Sequence, residues 1–178
     1  GAWTQGGAFQ TPLYARPDDL VSVSLGAFDD ELGGNTIWGQ VSGGKLKPYA
    51  SRADIESGRV NNLRPLLWVD DPVDAFFLHV QGSGQVKMQD GSVARVGFAG
   101  KNGRTYKSIG RVLIDSGEIP ADRLTMSSIR DWVHARPTAG PELLRKNPSF
   151  VFFRILKGDG PLGAQGVALR SEEHTSEL

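Results

Sequence analysis

The sequence predicts a mainly β fold carrying short helices. Three observations predict it. First, 23 glycines and 10 prolines among 178 residues disfavour long helices along nearly a fifth of the chain. Second, several short segments alternate apolar and polar side chains with a period of two. Third, turn-forming dipeptides separate those segments at short intervals. A hydrophobic share of 39% with 22% charged residues suits a globular chain rather than a disordered one.

The elements follow in order. Phe9–Tyr14 is extended, and Pro12 and Pro17 confine it to an edge or a strand end. Val21–Leu25 alternates Val and Leu against Ser, the pattern of a half-buried strand. Thr36–Val41 and Lys45–Tyr49 read as two strands around a turn at Gly43-Gly44. Ser51–Gly58 reads as a small helix, with Ser51 as N-cap and Gly58 just past its end. Leu66–Asp71 carries the apolar stretch Leu-Leu-Trp-Val. Pro72 then opens a helical turn running into Phe76-Phe77, and the apolar run Phe76–Gln81 is read as a core strand. Gln85–Gln89 and Ser92–Gly97 flank Asp90-Gly91, which predicts a hairpin with a type I′ turn. Phe98–Gly110, with its three glycines, reads as a loop. Ile109–Ser116 has helical spacing, with Gly117 at C′ and Ile119 at C″. Thr125 caps a second helix bearing Met126, Ile129 and Val133, ended by Pro137. Pro141 starts a third through Leu143-Leu144, stopped before Pro148. Phe150–Phe153 is a buried strand, Gly158–Gly166 a glycine-rich crossover, and Val167–Leu169 the start of a further segment.

Composition excludes several functions. Twenty basic residues balance twenty acidic ones, which argues against nucleic acid as a partner. No apolar run approaches the ~20 residues of a membrane-spanning helix. Without cysteine there is no disulfide scaffold and no thiolate metal site. The chain opens at Gly1 with no Met. At the other end, RSEEHTSEL matches the translation of a short-read sequencing adapter residue for residue. Residues 171–178 are therefore expected to be an artefact, with the natural chain continuing past about Arg170.

The chemistry-bearing residues are sparse. His79, His134 and His174 stand alone, no H-E-x-x-H is present, and no metal site is indicated. His79 is read as structural or solvent-facing. Gly100-Lys-Asn-Gly103 fits the G-x-x-G of a KH module, but it follows a hairpin strand in a chain of zero net charge. Neither a P-loop nor a dinucleotide fingerprint is present. Asp70 and Asp71 are neighbours, so on extended chain they point apart, and Asp71-Pro72 reads as helix initiation. What remains is a polar set, Gln81, Gly82, Ser83 and Gly84 with Lys101, Asn102, Tyr106 and Ser108. Amides, hydroxyls, an ammonium and an aromatic face among glycines suit a neutral polar ligand such as a sugar. Composition alone leaves a second reading open, in which these groups merely shape and satisfy turns.

Longer strings resemble a known family. Phe76–Gly84 (FFLHVQGSG), Phe98–Asp115 (FAGKNGRTYKSIGRVLID) and Asn147–Phe153 (NPSFVFF) closely resemble the membrane-bound lytic murein transglycosylase A family. Gly7–Tyr14 (GAFQTPLY) and Gly160–Val167 (GPLGAQGV) also match, so the resemblance covers essentially residues 7–169. It implies two domains with a groove between them, a double-psi β-barrel split in sequence and a smaller β-domain inserted into it. On that reading residues 1–20 are a partial barrel piece, 21–149 the inserted β-barrel-like domain, and 150–170 a truncated return into the barrel. The resemblance further implies that peptidoglycan glycan strands lie in the groove. The β-1,4 bond between N-acetylmuramic acid and N-acetylglucosamine is cleaved without water, and the muramoyl 6-hydroxyl attacks to leave a 1,6-anhydro end. One Asp acts as acid and then base, with no cofactor.

The family's Asp-x-Gly-Gly-Ala-Ile string is missing here, so no catalytic residue carries over and the fragment is expected to be inactive. A Gly-Tyr-Tyr segment and a lipoprotein signal are expected before Gly1, placing the parent at the outer membrane, facing the periplasm, by a lipid anchor. What carries over is a groove wall: Gln81, Gly82, Ser83 and Gly84, with Lys101, Asn102, Tyr106 and Ser108. The competing expectation is a non-catalytic glycan-binding β-module, and a weaker one an RNA-binding β-domain.

Overall fold

The structure is a computed structural model that describes residues 1–157. The expected crossover at Gly158–Gly166, the segment Val167–Leu169 and the adapter-like tail lie outside the described residues. The described chain is mainly β with short helices, as the sequence predicts.

Three small antiparallel sheets form its frame. β1 (Thr11–Tyr14) pairs with β5 (Pro65–Val69), bringing Leu13 opposite Leu67, both fully buried. This pairing ties the N-terminal segment to the body. β2 (Val21–Ser24), β3 (Thr36–Ser42) and β4 (Lys45–Lys47) form a meander. Its β3–β4 turn is Gly43-Gly44, with φ of 60° and 74°, so both central residues take the left-handed backbone of a type I′ turn. β6 (Gly84–Lys87), β7 (Val93–Lys101) and β8 (Val151–Leu156) form the third sheet.

The predicted hairpin is β6–β7, but its turn differs from expectation. Only Gly91 has a positive φ, at 89°, and Asp90 does not. The Gly91 N–H donates to Met88 O at 3.0 Å, and the Met88 N–H to Ser92 O at 2.8 Å. This is a three-residue loop with glycine in the left-handed position, and the Asp90 carboxylate accepts the Ser92 N–H at 2.9 Å. β7 also runs on through Phe98–Lys101, a stretch read from sequence as loop. β8 pairs with it there and supplies the partners that local sequence could not show.

The run Phe76–Gln81 is not a strand. It forms the second half of α2 (Pro72–Gln81). Asp71 caps the helix by accepting the Val73 N–H at 2.9 Å, Pro72 occupies the first turn, and Gly82 ends it at φ 78°. The run looks uniformly apolar because α2 is buried between two clusters. Phe76 and Phe77 enter one with residues of three further helices, while Ala75 and Leu78 enter the sheet cluster with Leu13, Val86 and Val96. A buried helix loses its amphipathic signature, and a short apolar run then reads equally as strand. Burying each Phe stabilises the fold by roughly 1.5–3 kcal/mol.

Three of the other helices, α1, α3 and α4, start where expected. α1 (Arg52–Glu56) is capped by Ser51, which accepts the Asp54 N–H, and Gly58 follows its end at φ 81°. α3 (Ile109–Asp115) is capped by Ser108. It closes with Gly117 N–H to Ile114 O at 3.0 Å and Glu118 N–H to Leu113 O at 2.9 Å. Glu118, not Ile119, therefore occupies C″, and Ile119 packs into the core one residue later. α4 (Met126–His134) has a reciprocal Thr125–Ser128 capping box, and α5 (Ala139–Arg145) begins two residues before Pro141. Among the described residues no helix is long and apolar enough to cross a membrane.

Candidate functional site

The end of α2 and the β7–β8 surface line a cleft of about 900 Å³. α2 and the turn after it contribute Val80, Gln81, Gly82 and Ser83, and β7 contributes Gly97, Phe98 and Lys101. β8 contributes Val151, Arg154 and Leu156, with Ser149 before it and Tyr106 from the loop after β7. Two backbone features create this arrangement. Gly82 takes the left-handed conformation, its N–H donates to Leu78 O at 2.7 Å, and the chain reverses into β6. A bulge in β7 then shifts the pairing from Phe98↔Phe153 to Gly100↔Phe152. In a regular strand Phe98 and Lys101, three apart, would face opposite ways. The extra residue lets both reach the cleft.

Phe98 is 41% exposed, unusual for a phenylalanine beside a core. Its ring meets Trp38 edge to face at 5.7 Å, and Arg16 lies 5.0 Å from the Trp38 ring centroid. An aromatic face is thus held in place at the cleft.

Behind the wall lies a polar knot. Arg52, 3% exposed, donates to Asn147 O at 3.1 Å and Ser149 O at 2.8 Å, with the Phe76 ring 4.7 Å away. Burial pulls its guanidinium down to about 10, which leaves it charged at neutrality. It also donates to His79 Nδ1 at 3.1 Å, and the Val151 N–H donates to the same nitrogen at 3.2 Å. Arginine and amide can only donate, so Nδ1 is the acceptor and the proton sits on Nε2. Burial first, then the Arg52 charge, hold the imidazole well below the usual 6.5. His79 is a neutral, structural group of the cleft wall. Burial raises the Glu56 carboxyl, which Arg52 and Arg145 each approach only to 3.8 Å.

The predicted site residues separate into groups. Gln81, Gly82, Ser83, Lys101 and Tyr106 line the cleft together. Gly84 serves packing: a Cβ there would lie 2.5 Å from Leu78 Cδ2. Asn102 is fully buried and committed to the fold. It donates to Ala50 O and Pro148 O, both at 2.8 Å, and its Oδ1 accepts the Phe150 N–H at 2.9 Å and the Arg104 N–H at 3.3 Å. Ser108 caps α3 and borders a separate shallow depression. His134 pairs with Asp71 at 3.0 Å on the outside of α4, and His174 lies outside the described residues. Sequence reasoning missed Phe98 and Arg154. For Arg154 a signal existed, since a lone cation interrupting Phe150–Leu156 must point away from the core.

Chemically, the cleft offers an amide, hydroxyls, two cations and aromatic faces. Among the described residues no carboxylate lines it. Among the described residues no group of three His, Cys, Asp or Glu could hold a metal ion.

The fold is a mainly β domain with a polar and aromatic cleft, and the comparisons give its family. The family model described as the MltA specific insert domain matches residues 1–154, and the chain belongs to the lytic murein transglycosylase A family. It is 41% identical over 168 residues to membrane-bound lytic murein transglycosylase A of Escherichia coli strain K12, covering 93% of this chain and 39% of that protein. Against the Vibrio cholerae protein of the same name it is 37% identical over 126 residues, 69% of this chain and 34% of that protein. The chain thus spans about two fifths of the length of the curated relatives it matches. Among solved structures it is similar to MltA from Neisseria gonorrhoeae, with a TM-score of 0.77 and 32% identity over 94% of this chain and 50% of that one. It is also similar to E. coli MltA with bound chitohexaose, with a TM-score of 0.66 and 31% identity over 94% of this chain and 43% of that one.

Proposed function

We propose that this chain supplies one wall of the glycan groove of a peptidoglycan lytic transglycosylase. The observation that carries the reading is a polar and aromatic cleft whose lining, among the described residues, has no carboxylate. Sugars need donors and acceptors for their hydroxyls and a flat apolar face for their C–H surfaces. Gln81, Ser83 and Tyr106 supply the first, and Phe98 with Tyr106 the second. The chitohexaose bound by a similar protein is a chain of that kind.

In this reading the wall orients a strand across the scissile bond, and the acid comes from outside the described residues. That acid protonates the glycosidic oxygen, the muramoyl 6-hydroxyl attacks the anomeric carbon, and the same group accepts the hydroxyl proton. The product is a 1,6-anhydro end, and no water is consumed. The intramolecular nucleophile makes positioning the main contribution of the wall. The parent enzyme works on the periplasmic side of the outer membrane, held by a lipid anchor.

The test is incubation of the full chain with purified sacculi. The expected result is retention on the sacculi with no anhydromuropeptide released. Release of such products, or no retention, overturns the reading. The missing carboxylate also favours a second reading, a non-catalytic glycan-binding module. A chimera of a full-length relative bearing this chain in place of its own segment decides between them, because anhydro products from it require a groove wall competent for catalysis.

A further inference from the structure

The cleft carries a charge pattern that a neutral sugar chain does not explain. Lys101 and Arg154 both line it, and among the described residues no Asp or Glu does. Among the described residues neither cation forms an ion pair, and the acids of the neighbouring polar groups are committed to other partners. Glu56 lies between Arg52 and Arg145, and Asp19 accepts hydrogen bonds from Tyr49 and Asn62. The chain as a whole has zero net charge, so this excess is local rather than a general basic surface. Two like charges in one cleft repel each other unless a ligand compensates them. The β7 bulge that turns Lys101 to the cleft, and the Gly97↔Arg154 pairing that leaves the guanidinium uncrowded by a facing side chain, are built into the strands.

We infer that Lys101 and Arg154 form a carboxylate-reading subsite, so that the cleft selects glycans bearing acid groups over neutral ones. This rests on the groove reading above and adds to it the charge of the substrate. A carboxylate on such a glycan comes from one of two sources, the lactyl ether of the muramoyl sugar or an attached peptide. Arginine suits either, since its planar fork pairs with a carboxylate through two parallel hydrogen bonds. Lysine adds a mobile point charge.

The experiment compares three probes of equal sugar length on the full chain by calorimetry at low and at physiological salt. They are chitohexaose, an alternating N-acetylglucosamine–N-acetylmuramic acid hexamer with free lactyl carboxylates, and the same hexamer bearing stem peptides. The expected result is about tenfold tighter binding of at least one acidic probe than of chitohexaose at low salt, the size of one charge-assisted pair. The gap narrows as salt screens it. Which acidic probe gains identifies the source of the carboxylate. Lys101→Gln/Arg154→Gln should close the gap, Lys101→Glu should invert it, and Lys45→Gln/Lys47→Gln on β4, outside the cleft lining, should leave it as it is. Circular dichroism verifies that each variant is folded. Equal affinities for all three probes, or a gap that survives the double variant, overturn the inference while the groove reading stands. Failure of every probe to bind overturns both.

Discussion

His79 accepts a hydrogen bond from Arg52 across 3.1 Å, and that contact fixes a neutral imidazole in the cleft wall. The groups facing it are the Arg52 guanidinium and the Val151 amide, both donors, with Glu56 beyond Arg52. A proton added at Nδ1 would lose both bonds and meet a fixed positive charge. The folded state therefore keeps His79 unprotonated where the unfolded chain takes up a proton, near pH 6.5. Because the unfolded state binds more protons, stability is full above that pH and falls as pH drops through it. One such site costs about 1.4 kcal/mol between pH 7.5 and 5.5. Urea melts at the two pH values should show that loss. His79→Asn, which keeps an acceptor near Nδ1 but does not titrate, should remove it. Equal pH dependence in both proteins would show that His79 is protonated in the fold.

Asn102 belongs to the frame of the cleft, not to its surface. Its side chain bridges Ala50, Pro148 and Phe150 and so clamps α1's approach to the start of β8. Asn102→Ala leaves the Ala50 carbonyl and the Phe150 and Arg104 amides without this partner, while Pro148 O keeps the Arg52 N–H, at roughly 1 kcal/mol for each group lost. The expected loss is about 2–4 kcal/mol in a chemical-denaturation midpoint measured at constant slope. A variant of unchanged stability but weakened glycan binding would return Asn102 to the ligand-contacting set.

Much of this fold was legible because local chemistry decides it. The caps at Ser51 and Thr125 and the stop at Gly117 act within a few residues of themselves, and each is where the sequence puts it, whereas Ser108, read as a ligand residue, caps α3 instead. The failures share one cause, which is that distant partners decided the outcome. The second half of α2, Phe76–Gln81, reads as strand because two separate clusters bury it from different sides, while its start at Pro72 is read correctly. The last third of β7 was misread as loop because β8, some fifty residues later, provides its ladder. The same holds for the site. Gln81 to Ser83 could be named from their own turn. Phe98 and Arg154 needed the bulge and the β7–β8 register, which no local pattern encodes. Asn102 looked like a ligand residue since burial cannot be read from an amide in a glycine-rich string.

Two glycines of similar backbone conformation separate steric necessity from turn preference. Gly103 has φ 78°, and a Cβ there would lie 2.0 Å from the Trp38 carbonyl oxygen. Gly91 has φ 89° with nothing within 4 Å. Gly91→Ala should cost only the left-handed penalty, about 1–2 kcal/mol. Gly103→Ala adds a clash with backbone that cannot rotate away, so it should lose several kcal/mol or fail to fold. Parallel thermal melts of the two variants test this. Equal losses would mean that the β3 backbone around Trp38 yields freely.

Phe98 combines wide exposure with a fixed orientation, and that combination suits a sugar-stacking platform. Its ring is braced by the Trp38 edge, so little ordering entropy remains to be lost when a sugar docks. Phe98→Ala should weaken chitohexaose binding about fivefold to tenfold, equivalent to about 1 kcal/mol of lost face contact. The accompanying stability loss should stay near 1 kcal/mol, because 41% of the residue is already in water and chiefly the Trp38 contact disappears. Phe98→Trp should retain binding, and Phe98→Leu should fall between, since it keeps apolar area but lacks a flat face. A ranking in which Leu binds as well as Phe would reduce Phe98 to a hydrophobic cover over β8. That result would leave Tyr106, 40% exposed, as the aromatic group to test next.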